Sequence, residues 1–160
     1  FRVATKDRIS LATLNGVRAY YNMDSSIAKG VEFEVKHRLN QDWRTYLNYT
    51  FESGEITSGG TTERNWDIPK HMLSFGVDYT RGKFNGVLDA QYVGARQSVD
   101  SVSGEYGSED SFFLTNLYLN YKTDENLNLQ FAVRNLFNRH FYADEAASGR
   151  MYTFGATYSF

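Results

Sequence analysis

Val31-Glu32-Phe33-Glu34-Val35-Lys36-His37-Arg38-Leu39-Asn40-Gln41-Asp42-Trp43-Arg44-Thr45-Tyr46-Leu47-Asn48-Tyr49-Thr50-Phe51-Glu52 is the stretch that decides the fold. Val31, Phe33, Val35 and Leu39 recur at every second position, and Glu32, Glu34, Lys36 and Arg38 fill the gaps. After the turn formers Asn40-Gln41-Asp42 the pattern resumes, with Trp43, Thr45, Leu47, Tyr49 and Phe51 against Arg44, Tyr46, Asn48, Thr50 and Glu52. A period of two belongs to strands, because successive side chains leave opposite faces. The stretch therefore reads as a hairpin with one apolar and one polar face.

The same alternation runs on through the chain. Leu73, Phe75, Val77 and Tyr79 share a face, as do Phe84, Leu88, Ala90 and Tyr92, then Leu117, Leu119 and Tyr121, then Leu127, Leu129, Phe131 and Val133. Tyr152, Phe154, Ala156, Tyr158 and Phe160 close the chain in the same manner. Tight turns are expected at Asn40–Asp42, Arg81–Lys83 and Lys122–Asn126. Longer connections are expected at Ser53–Lys70, Ala95–Asp110 and Phe137–Gly149. Short and long connections alternate, so all short ones fall at one end. A first strand near Phe1–Ser10 and a long second one from Val17 to Leu39, bulged near Asp24–Ala28, bring the count to about eight. Pro69 cannot donate to a ladder and suits the junction of a long connection with the next strand.

The fold class is therefore all-β, an antiparallel meander forming a transmembrane β-barrel. Runs of about ten residues suit a tilted crossing of a bilayer and exceed the usual five or six of soluble strands. Aromatics gather toward strand ends (Trp43, Phe51, Tyr79, Phe84, Tyr92, Tyr121, Tyr152, Phe160), as interfacial girdles require. The competing fold is a soluble sandwich or lipocalin-like barrel, which alternates too but does not sort its connections by length. A mean hydropathy of -0.52 does not oppose the membrane, because lipid-facing and lumen-facing residues cancel in any window. The charged row Glu32, Glu34, Lys36 and Arg38 must face a wet lumen, since Lys or Arg toward mid-bilayer costs about 2–4 kcal/mol each. It reads as a self-neutralising network rather than a substrate path.

Other chemistries find little support. The net charge of -2 offers no field for nucleic acid, and the absence of Cys excludes disulfides and thiolate metal sites. The three histidines, His37, His71 and His140, have no ligand-like spacing, so no metal site and no cofactor are expected. No Ser is accompanied by a suggestive His, so the chain is not read as an enzyme. Ser58-Gly59-Gly60-Thr61-Thr62 is a loop tip and not a phosphate cradle, as neither a Lys-Ser/Thr pair nor a helix follows. Phe1-Arg2-Val3-Ala4 is not a signal peptide, so targeting is inferred from the other end.

Several landmarks carry a resemblance. Gly30-Val31-Glu32-Phe33-Glu34 after Tyr21-Asn22, the strand Trp43–Thr50, Asp67-Ile68-Pro69-Lys70-His71 and Gln91-Tyr92-Val93-Gly94 come first. Val133-Arg134-Asn135-Leu136-Phe137-Asn138, Tyr142, Gly149-Arg150-Met151-Tyr152 and the final Phe160 follow. In this order they resemble the carboxy-terminal barrel of TonB-dependent outer-membrane receptors. The resemblance implies a parent barrel of about 22 strands, of which residues 1–160 would be the last part, without the plug domain or TonB box. It implies receptor and transport activity in the outer membrane of a Gram-negative bacterium, for a ferric siderophore or other iron chelate, haem or cobalamin. Implied partners are outer-membrane lipid, the barrel-assembly machinery, and TonB only through the missing amino-terminal part. Thr153, Gly155, Tyr158 and Phe160 resemble the signal that the assembly machinery reads. Ligand contact in the outer connections is expected, if anywhere, from Trp66, Arg96, Tyr106, His140, Tyr142 and Arg150, since aromatic and Arg side chains dominate binding hot spots. The alternative is an autonomous small barrel acting as adhesin or anchor. Eight strands suffice to close one, so residues 1–10 are expected to pair with 151–160.

Overall fold

The structure, a computed structural model, describes residues 1–14, 16–58, 60–99, 106–140 and 149–160. Its strands are β1 Arg2–Leu14, β2 Val17–Arg38, β3 Trp43–Ser58, β4 Thr61–Asn65, β5 His71–Arg81, β6 Phe84–Val93, β7 Arg96–Val99, β8 Tyr106–Glu109, β9 Phe112–Lys122, β10 Leu127–Arg134 and β11 Met151–Tyr158. One antiparallel sheet runs β1-β2-β3-β5-β6-β9-β10-β11, with β4 folded back onto β3 and β7–β8 forming a separate hairpin. The eight-stranded meander is the expected one. The long connections are partly strand: β3 and β4 meet in a turn at Ser58–Thr61, with Gly60 at φ 78°, and β7–β8 occupies the second connection.

The register sorts the side chains. Val31↔Phe51, Val35↔Leu47, Leu47↔Phe75, Val77↔Leu88, Leu88↔Leu117, Leu117↔Val133 and Val133↔Tyr152 align one outward face across the sheet. Between the Val31–Phe51 row and the short turns, this face carries no Asp, Glu or Lys, and its one charged residue is Arg81 at the turn end of β5. Many of its large side chains stay uncovered, as at Phe33 (55%) and Phe154 (73%), while Val133 is covered by its neighbours. Trp43 to Phe51 spans eight steps, about 27 Å along the strand, close to the apolar band of a transmembrane barrel. The inward face carries Glu34 and Lys36, which form an ion pair. Further along it lie the pairs Asn48–Ser74, Asn85–Asn120 and Asp89–Asn116, bonded at 3.3, 3.3 and 3.0 Å. Polar groups thus pair with one another on this face, while Asn48 Oδ1 and Asn128 Oδ1 are buried there without a protein partner.

The short turns form a stitched rim. Asn40 Oδ1 accepts from the N–H groups of Asp42 and Trp43 at 2.9 and 3.0 Å, and Arg38 Nε donates to Asn40 O. Each turn is tied to its neighbour: Thr80 N donates to Asp42 O, Lys122 N to Lys83 O, and Ser159 N to Asn126 O. Next to the rim, Trp43, Tyr79 and Phe84 touch in series, with centroids 4.5 and 6.2 Å apart. The other end of the band is marked by Tyr49, Phe51 and His71, and by Tyr92 with Phe113. These are the two girdles that the sequence placed at strand ends.

Two expectations are corrected. The sheet is open: β1 pairs only with β2 and β11 only with β10, so the edges do not meet. Among the described residues β1 pairs with β2 from Arg2 opposite Lys29 onward, and Val31–Arg38 pair with β3 alone. Nor is β2 bulged at Asp24–Ala28. Its register with β1 is the same on either side of Asp24, its pairing with β3 runs without a shift from Ser25, and the local irregularity falls on Asp7 of β1, opposite Asp24, at φ 55°.

Candidate functional site

The end opposite the short turns gathers the longer connections. Trp66 follows β4 directly, and the guanidinium of Arg64 lies 4.1 Å above its ring. The alternation that pairs Arg64 with Glu55 across the hairpin also brings it onto the side of Trp66. Beneath, Asn65 is buried and its Oδ1 accepts from Asp67 N at 3.2 Å. Ile68 presses on Gly54 so closely that a Cβ there would stand 2.6 Å from Ile68 Cδ1. That contact explains a glycine inside a long strand.

Trp66 O accepts from Gln97 N at 3.0 Å, fastening the next connection to this one. Arg96 lies beside that bond. Its Nε donates to Glu109 Oε2 at 2.5 Å, with both side chains largely covered, and the pair clamps β7 to β8. Arg96 therefore serves the hairpin as well as any ligand. Tyr106 pairs through its backbone with Val99 at the tip of the same hairpin. Trp66, Arg96 and Tyr106 thus belong to one assembly.

Arg150 belongs to another, built around Asn135. That residue is buried and sits at φ 51° after β10. Its N–H donates to Asn116 Oδ1 at 3.0 Å, and its side chain bonds both backbone groups of Arg139, accepting at 2.8 Å and donating at 2.9 Å. Asn138, at φ 52°, accepts from Arg150 N at 2.8 Å. Asn tolerates the left-handed region better than other non-glycine residues, and its short amide reaches nearby backbone. The order Asp89, Asn116, Asn135, Asn138, Arg150 is thus one chain of contacts from the inward face to the entry of β11. Arg150 Nη1 also donates to Tyr152 Oη at 3.3 Å, and His140 is exposed. Tyr142 lies outside the described residues. Sequence reasoning singled out Arg150 but missed Arg64, Asn116 and Asn135 as positioning groups. The two-residue spacing of Arg64 and Trp66 was the available signal for the first.

The terminal strand shows Thr153 and Gly155 inward, Tyr158 and Phe160 outward and uncovered. A Cβ at Gly155 would meet Gln130 Oε1 at 3.5 Å, an ordinary contact, so packing does not demand glycine there. Among the described residues no group of three His, Asp or Glu could hold a metal ion.

The comparisons with known proteins agree with this architecture. Over 144 residues the chain is 23% identical to a ferric-pyoverdine BN7/BN8 receptor of Pseudomonas putida, covering 88% of this chain and 17% of that protein. It is 28% identical over 127 residues to the ferripyoverdine receptor of Pseudomonas aeruginosa, covering 72% of this chain and 15% of that one. The chain therefore spans about a sixth of the length of these curated relatives. Among solved structures it matches the ferripyoverdine receptor of the outer membrane of Pseudomonas aeruginosa bound to ferripyoverdine, with TM-score 0.71 and 18% identity over 98% of this chain and 24% of that one. It matches the copper transporter OprC with TM-score 0.77 and 20% identity, over 98% of this chain and 28% of that one. A family model described as "TonB dependent receptor-like, beta-barrel" matches residues 1–136. With its open eight-stranded meander and apolar outward band, the chain belongs to the TonB-dependent receptor β-barrel family.

Proposed function

We propose that this chain is the carboxy-terminal portion of a receptor barrel that takes up a ferric siderophore or another iron chelate across the outer membrane of a Gram-negative bacterium. Haem and cobalamin are the other candidate ligands. The plug domain and the TonB box would belong to parts of the protein outside these 160 residues, and coupling to TonB would pass through them. The observation that carries the reading is the match of residues 1–136 to the receptor barrel family, on a sheet whose outward face is fit for lipid. The pyoverdine receptors among its relatives favour an iron chelate. A copper transporter shares the fold, so ligand choice rests on the connections and not on the strands.

In this reading Trp66, Arg96, Tyr106, His140, Tyr142 and Arg150 lie on the ligand side. Thr153, Gly155, Tyr158 and Phe160 present the strand read by the assembly machinery. The test is to express the parent chain and titrate it with ferric siderophores, haem and cobalamin. Saturable binding of a ferric siderophore, with uptake lost on deletion of the gene, is the expected result. A parent that binds none of them and supports no uptake overturns the transport reading.

A further inference from the structure

One row beyond the apolar band, the outward face changes character abruptly. Val31 and Phe51 form its last uncharged row on β2 and β3. The next rows hold Arg2 opposite Lys29, Glu55 opposite Arg64, and Lys6 opposite Ser25. Among the described residues of β1–β4, these rows of this face hold the cations Arg2, Lys6, Lys29 and Arg64 and the single carboxylate Glu55. Glu55 is engaged by Lys29 at 3.0 Å. Arg64, directly opposite Glu55, stacks on Trp66 instead, with its Nε buried and unbonded.

Like charges directly opposite on neighbouring strands repel. Arg2 against Lys29, with Lys6 two positions further on, is therefore an arrangement that an anion would relieve. Rows on one face repeat at about 7 Å and strands at about 4.8 Å, so the patch measures roughly 14 by 14 Å. That is the footprint of a head group rather than of a lone ion. Its place is decisive: outside the barrel wall, against the end of the band, on the side of the long connections. Trp66 beside it is the residue type that settles at head-group depth. A basic cluster at this level attracts anionic lipid.

We propose that Arg2, Lys6 and Arg64 form a docking site for the phosphate-bearing head group of an anionic membrane lipid in the leaflet on the long-connection side. The proposal rests on the reading of the outward face as lipid-covered. Guanidinium groups match phosphate in two-point geometry, and Lys6 adds a point charge. Lys29 stays with Glu55 and keeps the neighbouring strands in place.

The test uses the full parent chain, extracted in mild detergent and analysed by native mass spectrometry after incubation with diphosphoryl lipid A or the same lipid with its phosphates removed. The expected result is retention of the phosphorylated lipid, weakened by salt, and about tenfold or more lower retention by the combined Arg2→Ser, Lys6→Ser, Arg64→Ser variant. A single Lys6→Glu variant, which disturbs no contact, should lower it too. Equal retention of the dephosphorylated lipid, unchanged retention by the variants, or displacement by millimolar inorganic phosphate would overturn the proposal. Failure of the parent to enter membranes would overturn the transport reading with it. A parent that enters membranes and binds its chelate, yet ignores the lipid phosphate, would sink this inference alone.

Discussion

Asn135 and Arg139 hold each other through two hydrogen bonds: Asn135 Oδ1 accepts from Arg139 N at 2.8 Å, and Asn135 Nδ2 donates to Arg139 O at 2.9 Å. The ring closes the turn that carries the chain out of β10, and Asn138 then reaches across to Arg150 at the start of β11. Replacing Asn135 with Ala leaves two backbone groups without partners and places a Cβ residue without an amide at φ 51°. A loss of about 1–3 kcal/mol is expected. Thermal unfolding of the full parent barrel in detergent measures it. Asn135→Gly restores the backbone freedom but not the bonds, and should recover only part of the loss.

Gly76 and Gly155 occupy inward positions of different strands and should respond differently to Ala. A Cβ at Gly76 would stand 2.2 Å from Tyr46 Cε1, so the ring must leave the sheet. Gly76→Ala is expected to destabilise by about 1–3 kcal/mol. At Gly155 the contact is an ordinary 3.5 Å, and Gly155→Ala should leave the unfolding temperature nearly unchanged. If Gly155→Ala lowers the yield of assembled barrel without lowering its stability, the glycine acts in assembly.

Phe33 and Glu34 are neighbours in sequence on opposite faces of β2. Phe33→Arg places a charge on the face assigned to lipid, at an expected cost of about 2–4 kcal/mol. Glu34→Arg stays on the inward face beside Lys36 and should cost less, through lost pairing and like-charge repulsion. Equilibrium unfolding of the parent in lipid vesicles separates the two. Equal costs would contradict the assignment of faces.

Asp124 in the last short turn accepts from the N–H groups of Asn126 and Leu127 at 2.8 and 2.9 Å. These bonds, the Asn126 one foremost, hold its carboxyl below the ordinary aspartate range. A depressed value in the folded state means stability present above the unfolded value and lost as pH falls through the folded one. Asp124→Ala should therefore be less stable than the native sequence at neutral pH. The gap should narrow once pH drops below about 4, where the unfolded carboxylate begins to protonate. Unfolding series at several pH values test this. A gap independent of pH would assign the effect to the turn backbone alone.

Much of this protein was legible before any coordinates. The alternation in Val31–Glu52 fixes two faces by itself, since a strand cannot place Phe33 and Glu34 on one side. Asn40-Gln41-Asp42 and Arg81-Gly82-Lys83 mark turns through local chemistry, and the turns did form there. Closure was not local. It is a matter of which strands pair across the sheet: β1 lies against β2 and β11 against β10, and the two end strands do not pair with each other. The same holds for the charges. Arg96 reads as a free cation until Glu109 is brought to it, and Arg2, Lys29 and Arg64 become neighbours only through pairing of four strands. Period and turn chemistry act within a few residues and determined the faces, the strand count and the rim. Pairing acts between strands, and it decided the order of the sheet and the company each charge keeps.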